Sequence, residues 1–124
     1  MTQPNAPLTP ATVPDCLFCR VVAGDLPATV VRESAGTVAF RDLAPQAPTH
    51  VLVVPRTHFE TVGALAAADP GLLAEVVGAA AAVADAEGLA GHRLVFNTGA
   101  AAGQQVFHVH AHVLGGRPMR WPPG

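Results

Sequence analysis

Three histidines alternate near the C-terminus in "HVHAHVLGG", His108 to Gly116, and two cysteines stand three apart near the other end in "DCLFC", Cys16 and Cys19. On an extended strand, residues i, i+2 and i+4 point to one side about 6.5–7 Å apart. His108, His110 and His112 would then share a face, with Val109, Ala111 and Val113 on the other. Neutral imidazole is a good metal ligand, and it also titrates close enough to pH 7 to move a proton or attack an electrophile. The row alone leaves both chemistries open. Cys-x-x-Cys has the spacing of a zinc knuckle or of a redox dithiol. A dithiol site normally sits in a βαβ setting, which the pattern of elements below does not offer. A structural Cys2His2 site is therefore the favoured reading, its two further ligands drawn from His50, His58 and the triad.

Missing residue types narrow the chemistry further. All seven basic residues are arginine, so no lysine is present for a Schiff base or a phosphate-binding P-loop. Tyrosine is absent, and the one serine, Ser34, sits in the turn-like "ESAGT", which argues against a serine nucleophile. A covalent catalyst would rest on the histidines, Cys16, Cys19 or a few carboxylates and threonines. The loop "NTGAAAGQQ" runs directly into the triad. Its Asn97, Gly103, Gln104 and Gln105 offer amides and open backbone N–H groups of the kind that receive phosphate oxygens. The net charge of −2 and the lack of a basic run argue against a nucleic-acid partner, while a small anionic ligand fits.

The elements that would position these groups follow from the patterning. Residues 1–14 lack basic residues and an apolar core, which suggests a disordered Pro/Thr-rich tail and no signal peptide. Residues 15–124 read as a single domain. Half the residues are hydrophobic, yet no apolar run approaches the ~20 residues of a membrane span. A soluble, cytoplasmic protein without a membrane partner is expected. "CLFCRVVAG" reads as a short helix stopped by Gly24, and "ATVVRE" with "GTVAFRD" as a hairpin about "SAG". "HVLVVP" reads as a buried strand. Asp69 caps and Pro70 starts a main helix ending at Gly88, with Leu72, Leu73, Val76, Val77, Ala80 and Val83 at helical spacing. Two more strands follow, "HRLVFN" and "VFHVHAHVL". The fold class is α+β: an antiparallel sheet of about five strands, one main helix and a short N-terminal helix.

Taken together, "DCLFCRVVAGDLPATVV", "AFRDLAPQAPTHVLVVPRTHF" and "LVFNTGAAAGQQVFHVHAHVLGGRPMRWPPG" resemble the histidine triad (HIT) superfamily, and most of all its Hint-like branch of purine nucleoside phosphoramidases. The pattern His-φ-His-φ-His-φ-φ is met by residues 108–114, and the terminal "WPPG" stands at the matching distance. The resemblance implies a homodimer, its two sheets joined into one, that hydrolyses nucleoside 5′-phosphoramidates through a covalent nucleotidyl-histidine. His110 would be the nucleophile. His112 would contact the phosphate and the leaving amine, and His50 would support the nucleophile. Asn97, Gly103 and Gln105 would line the phosphate pocket. Phe40, Asp42 and Leu43 would receive base and ribose. Some superfamily members that carry the cysteine pair bind zinc through it, which here implies Cys16, Cys19, His58 and His108 as ligands. The chain departs from the pattern at Gln105, where Hint-type enzymes usually have serine. Three other readings remain: a dinucleoside polyphosphate hydrolase, a nucleotide-binding scaffold with incidental hydrolysis, and a zinc hydrolase using all three triad histidines as ligands.

Overall fold

The short alternating segments about Ser34 form a hairpin, β1 (Val30–Glu33) and β2 (Thr37–Arg41), in the computed structural model, which describes residues 13–124. The N-terminal tail expected over residues 1–14 lies outside the described residues apart from Val13 and Pro14. Ser34 serves the fold. Its hydroxyl hydrogen-bonds Thr37 Oγ1 (2.7 Å) and Glu75 (2.8 Å), fastening the hairpin turn to the main helix. The apolar run beginning at Thr49 becomes β3 (Thr49–Pro55), buried at every position, as expected of a central strand covered on both faces. β4 (His92–Val95) and β5 (Ala111–Gly115) complete an antiparallel sheet of order β1-β2-β3-β5-β4.

Residues directly opposed on antiparallel strands share a face, so the register sorts the side chains. Ala39 opposes Val53, which opposes Ala111, and Val51 opposes Val113, which opposes Leu94. These residues form the core beneath the helices, together with Leu65, Val76, Ala80, Val83 and Val109. On the other face run two rows. Phe40, Leu52, His112 and Val95 form one, and His50, Leu114 and Arg93 form its neighbour. This second face carries the chemistry.

The main helix is α3 (Pro70–Ala86), and its expected cap is present, Asp69 Oδ1 accepting from the Leu72 N–H at 3.0 Å. Its contact face is Val76, Ala79, Ala80, Val83 and Ala84, small residues that let the helix close on the sheet. Val77, grouped with that face in the sequence reading, is 41% exposed, because it lies about 100° around the helix from Val76. A short helix absent from the sequence reading, α2 (Val62–Ala68), precedes α3; Thr61 caps it, and one fully buried side chain, Leu65, anchors it. One apolar anchor in seven residues leaves no periodicity to read. The N-terminal helix α1 (Leu17–Val22) covers the second face of the sheet, where Phe18 packs with Val38, Phe40, Leu52 and Val54. No helix among the described residues is long and apolar enough to cross a membrane.

The triad strand is shorter than its alternation suggests. The ladder begins at Ala111, because the Val109 N–H donates to the Phe59 carbonyl (2.7 Å) and not to β3. Val109 still faces the helix-side core, so the alternation persists. His108 is freed from the ladder and turns toward α1.

Candidate active site and metal centre

Cys16 caps α1 with its own side chain, accepting the Cys19 N–H at 3.4 Å, and Cys19 Sγ accepts the Val13 N–H at 3.3 Å. The three-residue offset thereby turns both sulfurs toward the loop that carries His108. Cys16 Sγ lies 3.4 Å from His108 Nδ1, Cys19 Sγ lies 3.5 Å from the same atom, and Cys19 Sγ lies 3.4 Å from His58 Nδ1. The two imidazole nitrogens are 3.2 Å apart, and the four ligand atoms all fall within 4.8 Å of one another. Tetrahedral zinc, with bonds of about 2.3 Å to sulfur and 2.0–2.1 Å to nitrogen, sets S···N near 3.5 Å and N···N near 3.3 Å. The donor set and its spacings therefore fit that metal. His108 Nε2 lies 2.8 Å from the Pro55 carbonyl, which can only accept, so its Nδ1 is the free ligand atom. Burial keeps both rings neutral, lowering His58 and bringing His108 down to about 4.

His110 is held differently. Its Nδ1 donates to the carbonyl of His108 at 2.8 Å, which leaves Nε2 as a lone-pair nitrogen. Phe18 stands edge-on to the ring, with centroids 5.0 Å apart at 88°. Burial lowers the His110 pKa, so the ring is uncharged at neutral pH.

The next pair fixes its own tautomers. The Gln46 N–H donates to His50 Nδ1 at 3.0 Å, so the proton of His50 is on Nε2. That nitrogen lies 2.9 Å from His112 Nδ1 and 3.4 Å from Asp42 Oδ2. His112 Nδ1 accepts, which puts the His112 proton on Nε2. Nε2 is buried and lacks any hydrogen-bond partner among the described residues. An unpaired buried donor costs about 1–3 kcal/mol, and here it sits beside the His110 ring, 4.9 Å away between centroids. A ligand oxyanion bound between the two rings would satisfy it.

Cavities open on both sides of this pair. One of about 360 Å³ over β2 and β3 is walled by Leu17, Phe18, Val21, Phe40 and Leu52, with Asp42 and Leu43 also lining it. Such an apolar slot with one carboxylate suits a heteroaromatic base and its sugar. The other, of about 410 Å³, lies over β5 and β4 and contains His50, His112 and Asn97.

A model of the HIT domain family matches residues 23–119. This chain belongs to the HIT family. An uncharacterised HIT-like protein of Synechococcus elongatus is 43% identical over 111 residues, covering 89% of this chain and 97% of its own. The structure of a HIT family hydrolase from Legionella pneumophila is similar at a TM-score of 0.85 and 50% identity, over 89% of this chain and 100% of that one. A histidine triad nucleotide-binding protein from Candida albicans is similar at a TM-score of 0.74 and 25% identity, over 87% and 83% of the respective chains.

Within the HIT domain, most of the residues singled out from sequence come together. Phe40, Asp42 and Leu43 line the apolar cavity, although Leu43 is 95% exposed. Gly103 adopts φ 96° and sits beside Asn97, so that a Cβ there would lie 4.0 Å from Nδ2. Gln104 is spent internally: it is buried, donates to the Glu60 and Val106 carbonyls (2.7 and 3.2 Å) and accepts the Gly99 N–H (2.9 Å). It braces the loop and has no group left for a ligand. Gln105 is exposed and faces the surface beside Cys16, His58 and Glu60, away from both cavities at the histidine pair. The three triad histidines do not converge on one point; His108 joins the cysteines while His112 joins His50 and Asp42. That separation removes the basis for a zinc site made of all three.

Sequence reasoning missed Phe18, the side chain that joins the metal cluster, the His110 ring and the apolar cavity. Its position inside "CLFC" was the available signal.

The His112 site has a measurable pH consequence. Burial, then the neighbouring His110 and His50, hold its pKa down to about 4, against an upward pull from Asp42. The unfolded ring titrates near 6.5. Between pH 6.5 and 4 the unfolded chain therefore takes up a proton that the folded chain refuses, and stability falls with falling pH. Urea unfolding should show this loss, about 1–2 kcal/mol from His112 once partial water contact is discounted. His112→Gln should flatten the profile in that window, with His108, His110 and His58 keeping part of the slope. A variant that keeps the full native slope would contradict the assignment.

Proposed function

We propose that the chain hydrolyses purine nucleoside 5′-phosphoramidates through a nucleotide bound covalently to His110. The observation that carries this reading is the paired state of two adjacent rings: His110 offers an uncharged Nε2, and His112 offers a buried Nε2–H without a partner among the described residues. A tetrahedral phosphorus with anionic oxygens answers both.

In the first step His110 Nε2 forms a bond to phosphorus as the bond from phosphorus to the amine nitrogen breaks. The negative phosphate raises the proton affinity of His112, so the ring takes up one proton from solvent as the substrate binds. It returns to the neutral form by giving its Nε2 proton to the departing amine. Water then attacks phosphorus, its oxygen stays on the nucleotide, its proton returns to His112, and His110 is released. His50 holds the His112 ring in register, and Asp42, which lines the apolar cavity, would accept from ribose hydroxyls there. Neutral imidazole suits the role because its P–N adduct remains labile to water.

Cys16, Cys19, His58 and His108 would hold zinc as a structural tie between α1 and the triad segment. Zinc there supplies no chemistry at phosphorus. The free edge of β4, at the end of the sheet, is where a second copy would extend it into the expected homodimer. Incubation with adenosine 5′-monophosphoramidate should release AMP and ammonia catalytically. Binding without any release would leave only the nucleotide-binding scaffold.

A further inference from the structure

The two cavities that flank the histidine pair differ in charge. The one over β5 and β4 brings Arg93, Arg117 and Arg120 to the side of His112 and Asn97. None of the three guanidinium groups meets a carboxylate among the described residues, where the ion pairs of arginine are Arg41–Glu87 and Arg56–Glu33. Arg93 Nη2 donates to the Arg120 carbonyl at 2.9 Å, and Arg117 donates to the carbonyls of Gln46 (3.2 and 3.0 Å) and Pro118 (3.0 Å). These bonds aim the side chains but leave their charge uncompensated. Gly124 also lines this cavity and forms no ion pair with them. Three cations gathered at one opening raise the positive potential there and draw an anion to it.

The sheet register says which part of a substrate would arrive there. Phe40, Leu52, His112 and Val95 form one row across the face, from the apolar cavity through the histidine to the basic one. A nucleotide with its base against Phe40 and Leu52 has its phosphorus at the histidine pair. Displacement at phosphorus is in line, so the departing group lies opposite His110, whose ring stands on the Phe18 side, and thus toward the side where His112 opens onto the arginine-lined cavity. We propose that this cavity is a leaving-group subsite for an oxyanion, and that the chain prefers substrates whose departing group bears a carboxylate or a phosphate. The proposal rests on the nucleotidyl-transfer reading above and adds to it the chemical class of the departing group.

A charge remote from the reacting bond is recognised in the ground state and the transition state alike, so the preference appears chiefly in KM. Charge-assisted hydrogen bonds to two or three guanidinium groups, partly exposed, give about a tenfold difference.

The test uses a matched pair, adenosine 5′-phosphoramidates of β-alanine and of β-alaninamide, which differ only in carboxylate against carboxamide. Diadenosine triphosphate, which would release ADP, provides the phosphate arm. The β-alanine compound or the triphosphate should exceed the carboxamide by about tenfold in kcat/KM, mainly through KM. The faster of the two names the source of the anion. The Arg93→Gln, Arg120→Gln double variant should reduce the ratio to about twofold, whereas Arg32→Gln on β1, at the opposite edge of the sheet, keeps it. Should the double variant fail to fold, the native ratio must shrink between low salt and about 0.5 M salt. Equal rates for the matched pair with no turnover of the triphosphate would overturn the subsite while leaving the phosphoramidase reading standing. No turnover of any compound would overturn that reading, and the subsite with it.

Discussion

Replacing His110 with alanine should lower kcat/KM toward adenosine 5′-monophosphoramidate by about 10³-fold or more, the usual cost of removing a covalent nucleophile. The expectation follows from geometry. His110 alone among the triad has a ring nitrogen pinned by a backbone carbonyl and its other nitrogen uncommitted: His108 is turned to the cysteines, and His112 is engaged by His50. Because the His110 ring packs edge-on against Phe18, alanine also leaves a gap in a buried region. His110→Gln fills more of that space and separates the two effects. Both variants should lose turnover alike, while the glutamine variant unfolds closer to the native midpoint. A glutamine variant with native turnover would show that nucleophilic attack comes from elsewhere.

The second large effect is expected from the cysteine–histidine cluster. Stripping metal by chelation, or Cys19→Ser, should lower the thermal midpoint by roughly 10 °C or more, since structural zinc contributes folding free energy of several kcal/mol. Nucleotide affinity should fall with it. Cys16 and Cys19 grip the two ends of one helical turn, and between them Leu17 and Phe18 supply part of the apolar wall. Calorimetry with AMP would show the loss as weaker binding in the stripped protein. At saturating substrate, kcat should stay within a few-fold of native, because the cluster bears on the His110 ring only indirectly, through the His108 carbonyl and the Phe18 ring. A collapse of kcat in stripped protein that is still folded would mean that the metal takes part in hydrolysis.

The sequence disclosed the five strands, the main helix, the short N-terminal helix and the two faces of the triad strand, because hydrophobic period and turn residues are local signals. Asp69 and Pro70 announced the main helix, and Ser34–Gly36 announced the hairpin. What stayed hidden depended on contacts distant in sequence. The Val109 N–H is claimed by Phe59 across a separation of 50 residues, so the triad leaves the ladder earlier than its alternation suggests. Gln104 and Gln105 look equivalent in the chain, yet the fold buries the first as a brace and turns the second outward. The arginines of the tail read as scattered charges until β4 and the last ten residues come together around His112. The four candidate metal ligands, by contrast, were legible through the family resemblance, and the structure gathers them to within 4.8 Å.

The most direct measurement is mass spectrometry of the protein quenched during turnover of adenosine 5′-monophosphoramidate. His112→Asn serves to slow release of the intermediate. The chain should gain the mass of one nucleotidyl group, mapped to His110, and His110→Ala should gain none. Catalytic release of AMP with no adduct in either the native protein or His112→Asn, or an adduct mapped to another residue, would contradict nucleophilic attack by His110.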